Sequence, residues 1–181
     1  MFEFLKAILI FFEKNNIPYM LSGSVAMGNY IVSRFTKDFD FVVSLTADSV
    51  PLLTSFFNEG YYCDEDSIQE AIRNKSMFNI IDHKSNYKAD FVILKDEPFR
   101  LEEFRRRKMI DFKGMKLYIV SPEDLLLSKI IWIQDYQSPQ QMEDIRQLDK
   151  LVTLDRDYIS HWLHKLKLNT FGLLKNNDRH S

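Results

Sequence analysis

Tyr19-Met20-Leu21-Ser22-Gly23-Ser24, thirteen further residues (25–37) and Asp38-Phe39-Asp40-Phe41-Val42-Val43 spell a strand, a turn, a helix and an acid-bearing strand. Tyr19-Met20-Leu21 is a short buried strand. Gly23-Ser24 turns the chain into a helix predicted over 25–31, and the next strand is predicted over 39–45. Side chains alternate across a strand, so Asp38 and Asp40 share one face while Phe39 and Phe41 take the other. Two aligned carboxylates make a poor core. They make a good seat for a hard cation such as Mg²⁺, which takes one or two carboxylates and leaves positions for water and phosphate oxygens.

Working outward, Phe2, Leu5, Leu9 and Phe12 recur at helical spacing, which predicts a core-facing amphipathic helix at the N-terminus. Glu3, Lys6 and Glu13 interrupt this apolar run, which is too short to span a bilayer and carries no small-residue cleavage site. Downstream, a helix over 50–58 stops at Gly60, and 61–74 holds a short strand and a short helix. Strands over 78–81 and 89–94 flank a polar turn at 83–86. A helix is predicted over 99–108, then a hairpin turn at Gly114 and a strand over 117–120. Ser121-Pro122-Glu123-Asp124 is a helix start, with a Ser cap, a first-turn Pro and acids at the positive end of the dipole. Helices centred on Leu126, Ile145 and Ile159 follow, and 173–181 reads as a frayed polar end. The fold class is therefore α+β: a mixed β-sheet flanked by helices over 1–120, with a helical C-terminal part over 121–181. The boundary is soft, and one compact unit is the alternative.

The 181 residues suffice for a sizeable core, and 15 Phe promise to fill it. A net charge of −2 argues against a surface built throughout for nucleic acid. The single Cys63 excludes an internal disulfide and a multi-cysteine zinc site, which fits a reducing, cytoplasmic setting with no membrane association.

Gly23-Ser24, the thirteen-residue spacer and Asp38-Phe39-Asp40 resemble the signature of the nucleotidyltransferase superfamily, the DNA polymerase beta-like fold. Asp90, in Lys88-Ala89-Asp90-Phe91-Val92, fits the third acid of that pattern. Arg34-Phe35-Thr36-Lys37-Asp38-Phe39-Asp40 further resembles the abortive-infection and toxin–antitoxin branch. Ser121 to Lys129 is similar to that branch's helix start, and Asp144-Ile145-Arg146-Gln147-Leu148 to the segment that follows it. The turn after Gly23 lacks the Arg that small antitoxin-type members carry. The resemblance implies transfer of a nucleoside monophosphate from NTP to a hydroxyl of RNA, protein or a small molecule. It implies Asp38, Asp40 and Asp90 as catalytic acids and ligands of Mg²⁺ (or Mn²⁺), with Asp90 also able to accept the acceptor's proton. Gly23 and Ser24 would hold the triphosphate, helped by Lys129 and Arg34. Asp144 would orient the acceptor or Lys129, and a toxin–antitoxin-type protein partner is implied as well. A catalytically silent nucleotide- or partner-binding regulator is the alternative. An interaction module using Trp162 and Phe171 is a second.

Other residues admit plainer readings. Lys129 serves equally as a lysine snorkelling from an apolar helix face. Asp144 reads as a surface acid or a pair for Arg146. Arg105-Arg106-Arg107-Lys108 reads as a solvated helical face. His161 and His164 share a helix face without a third ligand. Phe11, Phe12, Phe56, Phe57 and Trp132 read as core.

Overall fold

A computed structural model of the chain describes residues 1–32 and 36–175. Seven strands form one mixed sheet: β1 (Tyr19–Ser22), β2 (Asp38–Val43), β3 (Tyr61–Cys63), β4 (Met77–Asp82), β5 (Lys88–Ile93), β6 (Lys108–Phe112) and β7 (Met115–Ile119). Their order across the sheet is β3-β4-β5-β2-β1-β7-β6. The two acid-bearing strands, β2 and β5, are neighbours at its centre and run parallel. The glycine-terminated β1 lies antiparallel to β2 on the other side and parallel to β7.

One face of this sheet is aromatic. Alternation puts Phe39 and Phe41 of β2 on it, and the parallel register sets Phe41 beside Phe91. Helix α1 (Phe2–Lys14) covers them, with Phe4 edge-on to Phe39 and Phe12 edge-on to Phe41 and Phe91. The buried stripe of α1 is Phe4, Leu5, Ile8, Phe11 and Phe12, so the predicted face is rotated: Phe2 and Leu9 lie at its margin. A core-facing stripe is wider than one line of i, i+3, i+4 residues, and the flat aromatic sheet takes up that width. Each fully buried Phe contributes about 1.5–3 kcal/mol. That places the strongest apolar anchorage directly behind the acids of β2 and β5.

The remaining helices are α2 (Gly23–Met27), α3 (Val50–Phe56), α4 (Glu65–Asn74), α5 (Pro98–Arg105), α6 (Pro122–Asp135), α7 (Pro139–Asp149) and α8 (Arg156–Lys165). The helix predicted over 25–31 is only the short α2. The one predicted over 99–108 stops at Arg105, because Lys108 already pairs with Ile119 in the β6–β7 hairpin. Buried apolar side chains of α6, α7 and α8, including Ile130, Ile145 and Ile159, belong to the same continuous cluster as those of the sheet.

A polar knot fixes the base of α6. The Ser121 hydroxyl accepts from the Asp124 N–H at 3.2 Å and donates to its carboxylate at 2.6 Å. Asp124 is fully buried and also accepts from Arg106 Nε at 3.0 Å and from the Tyr158 hydroxyl at 2.6 Å. The Arg106 guanidinium lies over the Tyr158 ring. Such a network is tolerated in a core because every member is satisfied. The end of the described chain is tied down too: Leu173 is buried and the Lys175 N–H donates to Asp149 at 2.8 Å. This corrects the expectation of fraying over 173–175; residues 176–181 lie outside the described residues. No helix among the described residues is long and apolar enough to cross a membrane.

Candidate active site

The parallel register of β2 and β5 aligns Asp38 with Lys88 and Asp40 with Asp90 on the sheet face opposite the aromatics. On the other side of Asp40 stands Ser22, the last residue of β1, and beside Asp90 stands Asn79 of β4. Neighbouring strands are about 4.8 Å apart, so Asp40 and Asp90 necessarily feel each other's charge.

Gly23 explains why the turn and the acids are one site. Its φ is +62°, and a Cβ placed on it would lie 1.8 Å from Asp40 Oδ2 and 2.5 Å from Asp40 Cγ. The Asp40 carboxylate thus rests directly on the turn's backbone, a position that only glycine leaves open. Because α2 is so short, the turn offers its own N–H groups rather than the dipole of a long helix. Ser24 follows and is buried.

Burial, then the carboxylates of Asp90 and Asp38, push the Asp40 carboxyl from 3.8 up to about 6, against the opposing pull of Lys129 and Lys88. Asp90 is only 9% exposed. Its Oδ2 is 2.9 Å from Lys88 Nζ, while its buried Oδ1 has no hydrogen-bond partner. The hydrogen bond to Asp90 raises the Lys88 ammonium above its ordinary pKa. Asp38 is exposed, and its N–H bonds the Thr36 hydroxyl at 3.2 Å. Among the described residues no group of three or more His, Cys, Asp or Glu is assembled as a ready cation cage. What the fold brings together is the pair Asp40–Asp90, with Asp38 flanking it and Lys88 holding one oxygen of Asp90. The residues nonetheless suit a hard divalent cation: the donors are carboxylate oxygens, Lys129 and Lys88 only partly offset the burial and repulsion at Asp40, and a buried oxygen of Asp90 is unpartnered.

Lys129 does not snorkel. It is 6% exposed, and its ammonium donates to Asp144 and to Gln141 Oε1, both at 2.8 Å. Asp144 is therefore neither a surface acid nor a pair for Arg146, which instead meets Glu143. Of the roles implied for it, orienting Lys129 is the one its geometry matches. Lys129, Gln141, Gly23, Ser24, Asp40 and Trp132 line a common cavity of about 320 Å³. Its far wall carries Arg100, whose guanidinium bonds Glu103 at 2.9 Å and Ser128 at 2.7 Å.

Trp132 overturns its reading as core: it is 50% exposed, one turn along α6 from Lys129, with Tyr136 edge-on at 5.7 Å. Lys88, beside Asp90, and Trp132, Gln141 and Arg100, at the cavity, are residues that sequence reasoning did not place here. The i, i+2 spacing of Lys88 and Asp90 repeats that of Asp38 and Asp40, and Trp132 follows Lys129 at i+3. Both spacings were available signals. Arg34 lies outside the described residues. The basic run is not one solvated face: Arg105 pairs with Glu102, Arg106 enters the Asp124 knot, and Arg107 stacks on Phe104 and Tyr118. Trp162 is buried against Phe99 and is not a docking aromatic.

No protein-family model and no curated protein matches this sequence. Solved structures do match in three dimensions. The solution structure of the antibiotic-resistance factor ANT(2'')-Ia is 11% identical with a TM-score of 0.60, covering 90% of this chain and 89% of that one. Its crystal structure in complex with adenylyl-2''-tobramycin is 12% identical, also at 0.60, covering 91% and 95%. An antigenic nucleotidyltransferase-like protein from Paracoccidioides brasiliensis is 15% identical with a TM-score of 0.50, covering 88% and 84%. At these identities the likeness is one of fold: a mixed sheet flanked by helices, shared with these proteins over most of the chain.

Proposed function

We propose that the protein is a nucleotidyltransferase that moves a nucleoside monophosphate from an NTP to a hydroxyl of a small-molecule acceptor. The observation that carries this reading is the seat of the Asp40 carboxylate on Gly23, beside Asp90, at a cavity that also contains Lys129. The Gly23 turn, the Asp40 carboxylate and the Lys129 side chain thus share one opening, with Asp90 beside Asp40 in the sheet.

In the reaction, the acceptor oxygen bonds to the α-phosphorus, the bond from that phosphorus to the bridging oxygen breaks, and pyrophosphate leaves. The acceptor's proton passes to Asp90, whose Oδ1 is buried and unpartnered. Gly23 and Ser24 hold triphosphate oxygens through their N–H groups, and Lys129 adds charge from the cavity wall. Mg²⁺ or Mn²⁺, held by Asp38 and Asp40 with Asp90 beside them, would neutralise the triphosphate and the charge that develops in transfer. Arg34 stays a candidate on its place in the motif alone.

Three observations favour a small acceptor over RNA. The cavity has the volume of a small-molecule site. Arg105 and Arg106 are consumed in internal pairs, and the chain's net charge is −2. The fold is shared with a protein captured with an adenylylated tobramycin. The toxin–antitoxin resemblance rests on Arg34 to Asp40, Ser121 to Lys129 and Asp144 to Leu148; of these, Ser121 caps α6 and Lys129 pairs with Asp144, roles that say nothing of the acceptor.

The test is incubation with each α-labelled NTP, Mg²⁺ or Mn²⁺, and separate pools of polyhydroxylated small molecules, total RNA and protein. Label should move to a small acceptor and fail to move with Asp40→Asn or Asp90→Asn. Label on RNA or protein would replace the acceptor assignment. Nucleotide binding without transfer would establish the silent regulator, and neither binding nor transfer by folded protein would refute the nucleotide reading.

A further inference from the structure

Lys88 completes a two-by-two array with the three acids. Along β2 stand Asp38 and Asp40, and along β5 stand Lys88 and Asp90, row against row on one face. The Lys88 ammonium lies 2.9 Å from Asp90 Oδ2, and the Asp90 side chain is the more deeply buried of the two, at 12% exposure against 36%. An ion pair between two exposed side chains would be of little consequence. This one holds a carboxylate whose other oxygen is buried without a partner. The charges in the array are three negative and one positive, which a single divalent cation balances. Lys129 also pulls on Asp40 from the cavity wall, but its own charge is balanced by Asp144 at 2.8 Å.

Resting on the nucleotidyltransferase reading, we propose that Lys88 is a built-in cation standing in for a second divalent ion. The protein itself then holds one divalent cation, at Asp38 and Asp40. Asp90 is oriented by Lys88 as a proton acceptor, with Oδ2 fixed by the ammonium and the buried, unpartnered Oδ1 left to take the proton. Lys88 is a positioning residue: it acts through Asp90 and through the charge it adds, without touching the substrate.

The experiment is a Mn²⁺ titration of the full chain after chelator treatment, without nucleotide, read by the electron paramagnetic resonance of free Mn²⁺ and by calorimetry. Wild type should bind one Mn²⁺ per chain. Lys88→Met should bind two, with the first at least about tenfold tighter, the size of the repulsion between a unit and a double charge some 6 Å apart even at the dielectric of water. Lys88→Gln keeps a hydrogen-bond donor without the charge and should behave as Lys88→Met, while Lys88→Arg should restore the wild-type count. Two ions in wild type, or one in both wild type and Lys88→Met, would overturn the role of Lys88 while leaving the cation site intact. No Mn²⁺ bound by wild type would overturn both that role and the cation site.

Discussion

Replacing Asp40 by Asn should stabilise the metal-free protein. In the folded chain, burial and the adjacent Asp90 and Asp38 push the Asp40 carboxyl from 3.8 up to about 6. At 1.36 kcal/mol per decade of proton affinity, this corresponds to up to about 3 kcal/mol. The sign follows from proton counting: between pH 4 and 6 the folded state keeps the Asp40 proton while the unfolded state releases it. Stability from this group is therefore fully present below about pH 4 and is lost as pH rises through 6. Asp40→Asn, isosteric and uncharged, removes that loss. At pH 7.5 in chelator the variant should unfold about 2–3 kcal/mol harder, or about 5–10 °C higher for a chain of this size. At pH 4 the two proteins should unfold alike. Thermal and urea unfolding across pH 4–8 measures this. A variant no more stable than wild type at pH 7.5, or a gap that does not change with pH, would refute the account of Asp40. Millimolar Mn²⁺ should close the gap by stabilising wild type alone.

Gly23→Ala forces an L side chain into φ +62° and into the Asp40 carboxylate. It should cost about 1–2 kcal/mol in urea unfolding and about a hundredfold in transfer rate, and retained rates would show that the turn does not set Asp40. Asp144→Asn leaves the Lys129 ammonium buried without its counter-charge and should destabilise by about 3–5 kcal/mol. The pair Lys129→Met with Asp144→Leu should recover most of that stability in a double-mutant cycle but not nucleotide affinity. Trp132→Ala removes a half-exposed ring and should change stability by no more than about 0.5 kcal/mol. Binding isotherms should nonetheless show weaker nucleotide or acceptor binding, by about 1–3 kcal/mol if the ring stacks on a base.

The sheet and its order of elements were legible because alternation is a local signal. Phe39 and Phe41 against Asp38 and Asp40 fix which face is core without knowledge of neighbours, and β5 repeats the pattern. What could not be read locally is which residues complete the other face. Lys88 meets Asp90 along its own strand, but the array with Asp38 and Asp40 exists only through the β2–β5 register. Trp132 looked like core because aromatic residues in an apolar helix usually are; its exposure follows from the cavity left where α6 passes the sheet. Helix lengths failed for a related reason. The chain from Arg106 onward is claimed by the Asp124 knot and the β6–β7 hairpin, long-range demands that outweigh helical propensity. Lys129 and Asp144 were both singled out in the sequence, yet their mutual pairing depends on how α6 packs on α7, which no spacing within either helix encodes.

The place of β1 between β2 and β7 has a consequence for synthesis. Its outer edge is closed only when Leu21 meets Ile119. On a ribosome adding roughly 5–20 residues per second, the strand that ends at Ser22 therefore waits about 5–20 s for its second neighbour. For that interval a short apolar strand presents unpaired N–H and C=O groups to solvent or to a chaperone. Every acid of the site has been made by residue 90, but the turn on which Asp40 rests gains its final support some thirty residues later. A nascent chain stalled between those points would carry all three acids without the strand that closes the outer edge of β1.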